Sequence, residues 1–115
     1  MTTKLIAFEC PGGWDPSADL TSPSTWISAD LNTEIDQAFA NVELALKAAG
    51  GKGWSQVYSI RSYHLPVDEA ATSAMVRNLQ QWCGPDHHPI WTEIGVASLG
   101  LPAMRVEIEV EAVLE

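Results

Sequence analysis

The run Met104-Arg105-Val106-Glu107-Ile108-Glu109-Val110-Glu111-Ala112 constrains this chain more than any other stretch. Met104, Val106, Ile108, Val110 and Ala112 fall on one side of a period of two, and Arg105, Glu107, Glu109 and Glu111 on the other. Strict alternation, with β-branched residues on one side, is the pattern of a strand that lays one face on a core. The opposite face carries three carboxylates in register. They repel one another, so water or another subunit has to separate or match them. The segment from Ile90 to Ser98 predicts the strand before it, joined through Leu99-Gly100-Leu101-Pro102.

The rest of the chain supplies partners for these strands. Lys4 to Glu9, centred on Leu5-Ile6-Ala7-Phe8, predicts a first strand that Pro11-Gly12-Gly13-Trp14-Asp15-Pro16 ends. Residues 17–25 read as an exposed polar loop, with Trp26 and Ile27 as an extended lead-in. Asp30 is placed to cap a helix from Leu31 to about Ala49, with Glu34 in its first turn, where the helix dipole favours a carboxylate. Leu31, Ile35, Ala38, Phe39, Val42, Leu46 and Ala49 form one apolar stripe along it, and Gly50-Gly51-Lys52-Gly53 stops it. Trp54 to Leu65 predicts a strand with Val57, Ser59, Arg61 and Tyr63 on one face and Tyr58, Ile60, Ser62 and His64 on the other. Pro66 ends that strand and opens a second helix, buried through Ala70, Ala74, Met75, Val76, Leu79 and Trp82 and stopped by Gly84-Pro85. The order strand, helix, strand, helix, strand, strand predicts an α+β two-layer sandwich, one domain over residues 1–115.

Composition narrows the function classes. No apolar run is long enough to span a bilayer, and no basic segment followed by an apolar one marks a leader. Cys10 and Cys83 are far apart and lack a CxxC context, so they read as free thiols in a reducing, cytoplasmic setting. Neither a disulfide nor a structural metal is expected. The net charge is −9, and the six basic residues (Lys4, Lys47, Lys52, Arg61, Arg77, Arg105) are scattered. Nucleic acids and membrane surfaces need clustered Lys and Arg, so neither is an expected partner.

The chemistry-bearing residues are few. His87-His88 sits on a turn without a second Cys/His cluster, which fits a solvated turn better than a metal site. His64, at a strand end, reads as a satisfied polar group before it reads as a base. Gly12-Gly13 lacks the following Lys-Ser/Thr of a phosphate loop, and no GxSxG pattern is present. Glu107 is the carboxylate to weigh as a catalyst, against the plainer reading of a solvated or interfacial strand face. Trp14, Trp54 and Trp91 lie at element ends, where a site uses an aromatic wall and a core uses the same rings for packing.

Gly12-Gly13-Trp14-Asp15-Pro16, the helix end Leu46-Lys47-Ala48-Ala49-Gly50, Gly95-Val96-Ala97 and Val106-Glu107-Ile108-Glu109 together resemble the reactive intermediate deaminase family, also called RidA/YjgF or L-PSP. The likeness spans nearly the whole chain. It implies a chorismate mutase-like fold, a mixed sheet with two helices on one face, and a homotrimer with the sheets inward and sites in the clefts between subunits. It also implies hydrolysis of enamines and imines, such as 2-aminoacrylate, to 2-keto acids and ammonia, with no cofactor.

This sequence departs from the family pattern where the substrate is held. The family's carboxylate-binding Arg, two residues past the Pro matched by Pro89, falls at Trp91. Glu93 stands where relatives carry Cys or Thr, and Glu9-Cys10-Pro11 replaces Ser-Gly-Gln. The catalytic-shell Glu is kept as Glu107. Lys4-Leu5-Ile6 matches the family's second strand, which shortens the N-terminal hairpin. The resemblance therefore implies Glu107 as the catalytic residue, and Trp91, Glu93, Glu9 and Trp14 as substrate-binding residues. The expected function is a divergent Rid-type protein acting on a small molecule by imine or enamine hydrolysis or related acid/base chemistry, and not on 2-aminoacrylate. The alternatives are a non-catalytic small-molecule-binding or chaperone-like trimer and, last, a ribonuclease. Arg105 and Arg61 are expected to pair with carboxylates on the covered sheet face.

Overall fold

The computed structural model describes residues 5–9, 11–18, 21–22 and 26–114, the first of these segments as backbone only. Six elements follow one another: β1 (Leu5–Glu9), α1 (Leu31–Ala48), β2 (Val57–His64), α2 (Glu69–Cys83), β3 (Ile90–Gly95) and β4 (Val106–Leu114). They make one four-stranded sheet in the order β1-β4-β2-β3. β4 lies inside the sheet, antiparallel to β1 and to β2, and β3 runs parallel to β2 at the edge. This is the expected α+β arrangement, a mixed sheet with two helices packed on one face.

The alternating strand behaves as its pattern dictates. Val106, Ile108, Val110 and Ala112 are fully buried, while the residues between them are partly exposed. They meet Ile35, Ala38, Phe39, Val42 and Leu46 of α1 in a single core. Each fully buried aliphatic side chain of this kind contributes about 1.5–3 kcal/mol by leaving water. α1 begins where its cap predicts. The Asp30 carboxylate accepts from Thr33 N at 3.1 Å and from Thr33 Oγ1 at 2.7 Å. Trp54 belongs to the core: its ring stacks on Phe39 with centroids 4.8 Å apart, and its Nε1 donates to Phe39 O.

Several local expectations are corrected. Trp54–Gln56 forms a single 3-10 turn, so β2 starts only at Val57. A bulge then shifts the register: Val57 pairs with Ala112 but Ser59 pairs with Glu111. One extra residue reverses the alternation. Val57, Ile60, Ser62 and His64 are buried together, and Tyr58 turns outward beside Arg61. α2 starts at Glu69, after the Asp68 cap rather than at Pro66, and buries Ala71, Ala74, Met75 and Asn78. Ala70 and Val76, expected inside, are exposed. β3 ends at Gly95, short of Ser98.

The two expected arginine pairings come out differently. Arg61 does meet carboxylates of its own sheet face, Glu109 at 3.2 Å and Glu111 at 3.6 Å. Arg105 turns away to the fully buried Glu34 of α1. Its backbone N and its Nε each donate to one Glu34 oxygen at 2.8 Å. Its terminal nitrogen also reaches Ser28 O and Ala29 O, so one side chain ties the start of β4 to the approach of α1.

Candidate functional site

Register separates the outer-face residues from the core-facing ones. Glu107, Glu109 and Glu111 oppose Tyr63, Arg61 and Ser59 on the face away from the helices. Glu111 accepts from Tyr58 Oη at 2.8 Å, and Glu109 from Tyr63 Oη and Arg61, both at 3.2 Å. Cross-strand donors thus meet two of the three carboxylates. The third, Glu107, has no hydrogen bond or ion pair to its side chain among the described residues.

A second element brings an aromatic wall to that carboxylate. The Pro11–Trp14 segment starts alongside β4 in the antiparallel register of β1: Ile108 N donates to Pro11 O at 3.0 Å, and Gly12 bridges to Glu107. Buried Asn41 of α1 fixes it from the other side, donating to Gly12 O at 2.9 Å and Trp14 O at 2.8 Å. The two glycines permit this approach. A Cβ on Gly12 falls 2.6 Å from the Met104 methyl, and one on Gly13 collides with the Glu34 backbone carbonyl. Gly12-Gly13 is therefore a close-packing device, which explains its presence without a phosphate. Beyond it, Trp14 bridges to Ile27, and Asp15 N donates to Trp26 O at 2.8 Å, so the loop after β1 folds against the approach to α1.

The product is a cleft of about 610 Å³ lined by Trp14, Asp15, Trp26, Leu101, Met104 and Glu107, among others. Two indoles and the apolar side chains of Pro16, Leu101 and Met104 make its walls. Among the described residues its two charged side chains are both acids, and no basic side chain lines it. The neighbouring Arg105 is held by Glu34. Asp15 Oδ1 accepts from Ser17 Oγ at 2.7 Å and Ser17 N at 2.9 Å, and these bonds hold its carboxyl below the usual range, hence ionised.

Trp91 and Glu93 lie elsewhere. They pair with Ile60 and Ser62, so they project on the core face of the sheet, opposite to Glu107. Trp91 Nε1 donates to Ser62 Oγ, and Ser62 Oγ lies 2.8 Å from Nε2 of the fully buried His64. Thr72 Oγ1 of α2 donates to Glu93 Oε1 at 2.6 Å, and Glu93 Oε2 is 3.5 Å from His64 Nε2. Burial pushes the His64 pKa down, against the pull of Glu93 and then Asp68. The indole edge also lines a second cleft, of about 610 Å³, with Val76, Leu79, Cys83, His87 and His88. Among the described residues no carboxylate lines that cleft, and His87 is engaged with Val57 O at 2.7 Å.

Of the five site residues predicted from sequence, the structure brings together Trp14 and Glu107. It puts Trp91 and Glu93 together on the other face. Glu9 ends β1, and its side chain lies outside the described residues, as does Cys10. Cys83 is a free, half-buried thiol. Sequence reasoning missed Trp26, Asp15 and Leu101 as cleft residues. The available signal was a large aromatic, Trp26, directly after a Ser/Thr/Pro-rich loop with no core pattern around it.

Residues 13–114 match the model of a family described as endoribonuclease L-PSP. Among curated protein sequences none matches. Solved structures share the fold. YyfB from Yersinia pestis, a Rid-family protein of unknown function, superposes with a TM-score of 0.78 at 24% identity, over 98% of this chain and 80% of that one. Yeast Mmf1 gives 0.76 at 19% identity, over 96% and 80%. Escherichia coli TdcF with bound serine gives 0.75 at 18% identity, over 96% and 81%.

Proposed function

The chain belongs to the endoribonuclease L-PSP family, the Rid or YjgF family, and from that premise we propose that it acts on a small molecule in the Trp14–Glu107 cleft, with Glu107 as general base and acid. One observation carries this reading: of the three outward carboxylates of β4, Glu107 alone lacks a side-chain partner among the described residues, and it faces an aromatic cleft. The chemistry that suits it is hydrolysis of an imine or enamine. Glu107 takes a proton from water as the oxygen adds to the C=N carbon. It passes that proton to the nitrogen to give a carbinolamine, then takes the hydroxyl proton and passes it to the same nitrogen as the C–N bond breaks, the C=O bond forms and ammonia leaves. A positioned carboxylate in this role typically contributes 10²–10⁴-fold.

The substrate on this reading has no carboxylate. Among the described residues no basic side chain lines the cleft, and position 91, where the family carries its bidentate Arg, is a tryptophan that offers one neutral donor, engaged by Ser62. A ribonuclease reading is disfavoured by the net charge of −9 and by the ion pairs that occupy Arg61, Arg77 and Arg105. The working assembly on this reading is a homotrimer. Its support is the sheet face opposite the helices, which none of the described elements covers and which shows Ile90 at 72% exposure and Tyr58 at 37%. Sedimentation as a monomer at micromolar concentration overturns that part.

The test of activity is ammonia release from imines made in situ by an amine oxidase, with those from an amino-acid oxidase as the carboxylate-bearing comparison. Acceleration over buffer with the first set, lost in Glu107→Gln, is expected. Acceleration unchanged by Glu107→Gln overturns the assignment. Binding without acceleration indicates a small-molecule-binding trimer instead.

A further inference from the structure

Resting on that reading of the cleft, we propose that its ligand is a small organic cation, of the ammonium or iminium class, held between the Trp14 and Trp26 indoles with Glu107 and Asp15 as counter-charges. The walls supply the first argument. Indole is the strongest aromatic partner for a cation, because its face carries the negative lobe of the ring quadrupole, and two of the cleft's lining residues are tryptophans. The charge supplies the second. Both ionisable lining residues are acids, and the cation nearest in sequence, Arg105, is tied to Glu34 at 2.8 Å. Arg61, the cation of the same sheet face, is taken by Glu109 and Glu111. Asp15 is held ionised by both its bonds to Ser17. The cleft thus presents carboxylates and indole rings, while Arg61 and Arg105 are paired elsewhere.

Size gives the third argument. A cleft of about 610 Å³ falls within the range of small-molecule sites, roughly 300–1,000 Å³, and suits one compact cation better than a polymer. The proposal also meets the proposed chemistry. The protonated imine is the electrophilic form that water attacks, and a site that favours the iminium over the neutral imine raises the reactive fraction near neutral pH. An anionic substrate meets only repulsion there.

The probe is choline, compared with the alcohol in which carbon replaces its quaternary nitrogen, and with acetate. These are titrated into the full chain while indole and backbone amide resonances are followed by NMR. Choline is expected to shift the Trp14 and Trp26 resonances and to bind at least about tenfold tighter than its neutral isostere, the ratio expected for a desolvated cation–π contact. Asp15→Asn and Glu107→Gln are each expected to weaken choline several-fold and to leave the neutral alcohol unaffected. Trp26→Ala is expected to remove most of the preference, and Trp26→Phe to restore part of it, which separates ring chemistry from a folding defect. Equal affinity for choline and its isostere, or binding of acetate in preference to both, overturns the proposal. The Glu107 assignment would then still stand or fall on ammonia release from neutral imines. Loss of choline selectivity with catalysis intact defeats only the ligand class, while catalysis indifferent to Glu107→Gln defeats the reading beneath it.

Discussion

Trp91 with Glu93, and Trp14 with Glu107, put the same two side-chain types on opposite faces of one sheet. On the helix side, the indole N–H donates to Ser62, Ser62 sits 2.8 Å from His64, and Thr72 donates to one Glu93 oxygen. On the outer side, the Glu107 carboxylate meets no donor among the described residues, and the Trp14 ring borders open space. A hydrogen bond to a charged group stabilises the fold by about 1.5–3 kcal/mol, and a buried group cut off from its partner costs a similar amount. The first pair therefore serves the packing of α2 on β2 and β3. The second carries no such side-chain network among the described residues, and on the proposed reading its carboxylate is left for a ligand. Residue type did not distinguish the two pairs; the number of partners each side chain has already met does.

The comparison can be broken by substitution, and the largest effect lies at its boundary. Arg105→Met leaves the buried Glu34 carboxylate without its ion pair, and the expected loss is about 3 kcal/mol, or roughly 10 °C in Tm. Choline affinity should hold in this variant as long as the chain folds. Tighter choline binding without loss of Tm would mean that Arg105 had been neutralising Glu107. On the helix side, Glu93→Ala strands the Thr72 hydroxyl, and denaturant unfolding should show a loss of about 2 kcal/mol. Trp91→Phe keeps the ring and removes the donor to Ser62, for about 1 kcal/mol. If either substitution abolishes ligand binding at unchanged stability, the helix-side cluster belongs to the site after all.

The smallest effect is a pH dependence. His64 has its pKa lowered from 6.5 by burial, with Glu93 and Asp68 opposing. The folded chain thus gives up the proton more readily than the unfolded chain, and between the two pKa values the unfolded state binds more protons. Stability is complete above about pH 6.5 and falls as the pH drops below it. Unfolding of wild type and His64→Asn between about pH 7.5 and 5.5 should show the wild type losing ground to the variant as acid is added. A difference independent of pH would place the His64 charge outside the folding equilibrium.

Most of the architecture was legible because it rests on periodicity and caps. The β4 alternation, the α1 stripe and the Asp30 cap each depend on neighbours in sequence. The β2 faces were misread because a bulge at Tyr58 depends on how β4 pairs, which no local pattern records. Arg105 looked like one more residue of a charged face. Its true partner, Glu34, is 71 positions away, and a first-turn glutamate looks the same whether it faces water or a buried arginine. Glu107 and Trp14 were singled out from the sequence and its family resemblance, and the structure places both along one cleft. Trp26 and Asp15 were missed because their placement comes from backbone contacts between two loops, Asp15 N to Trp26 O and Trp14 to Ile27. Trp91 and Glu93 were matched to the family's substrate-binding positions, and only their register with Ile60 and Ser62 shows that they project from the face opposite to Glu107.

The most direct test measures Glu107→Gln and Glu93→Gln side by side, each for thermal unfolding and for ammonia release from amine-derived imines. The account predicts that Glu107→Gln keeps the wild-type Tm to within the shift of about 0.5 kcal/mol typical of surface changes, and lowers the catalysed rate by roughly 10²–10⁴-fold. It predicts the reverse for Glu93→Gln, a lower Tm with catalysis retained in the folded protein. A Glu107→Gln protein that is less stable but equally active, or a Glu93→Gln protein that is equally stable but inactive, would contradict it.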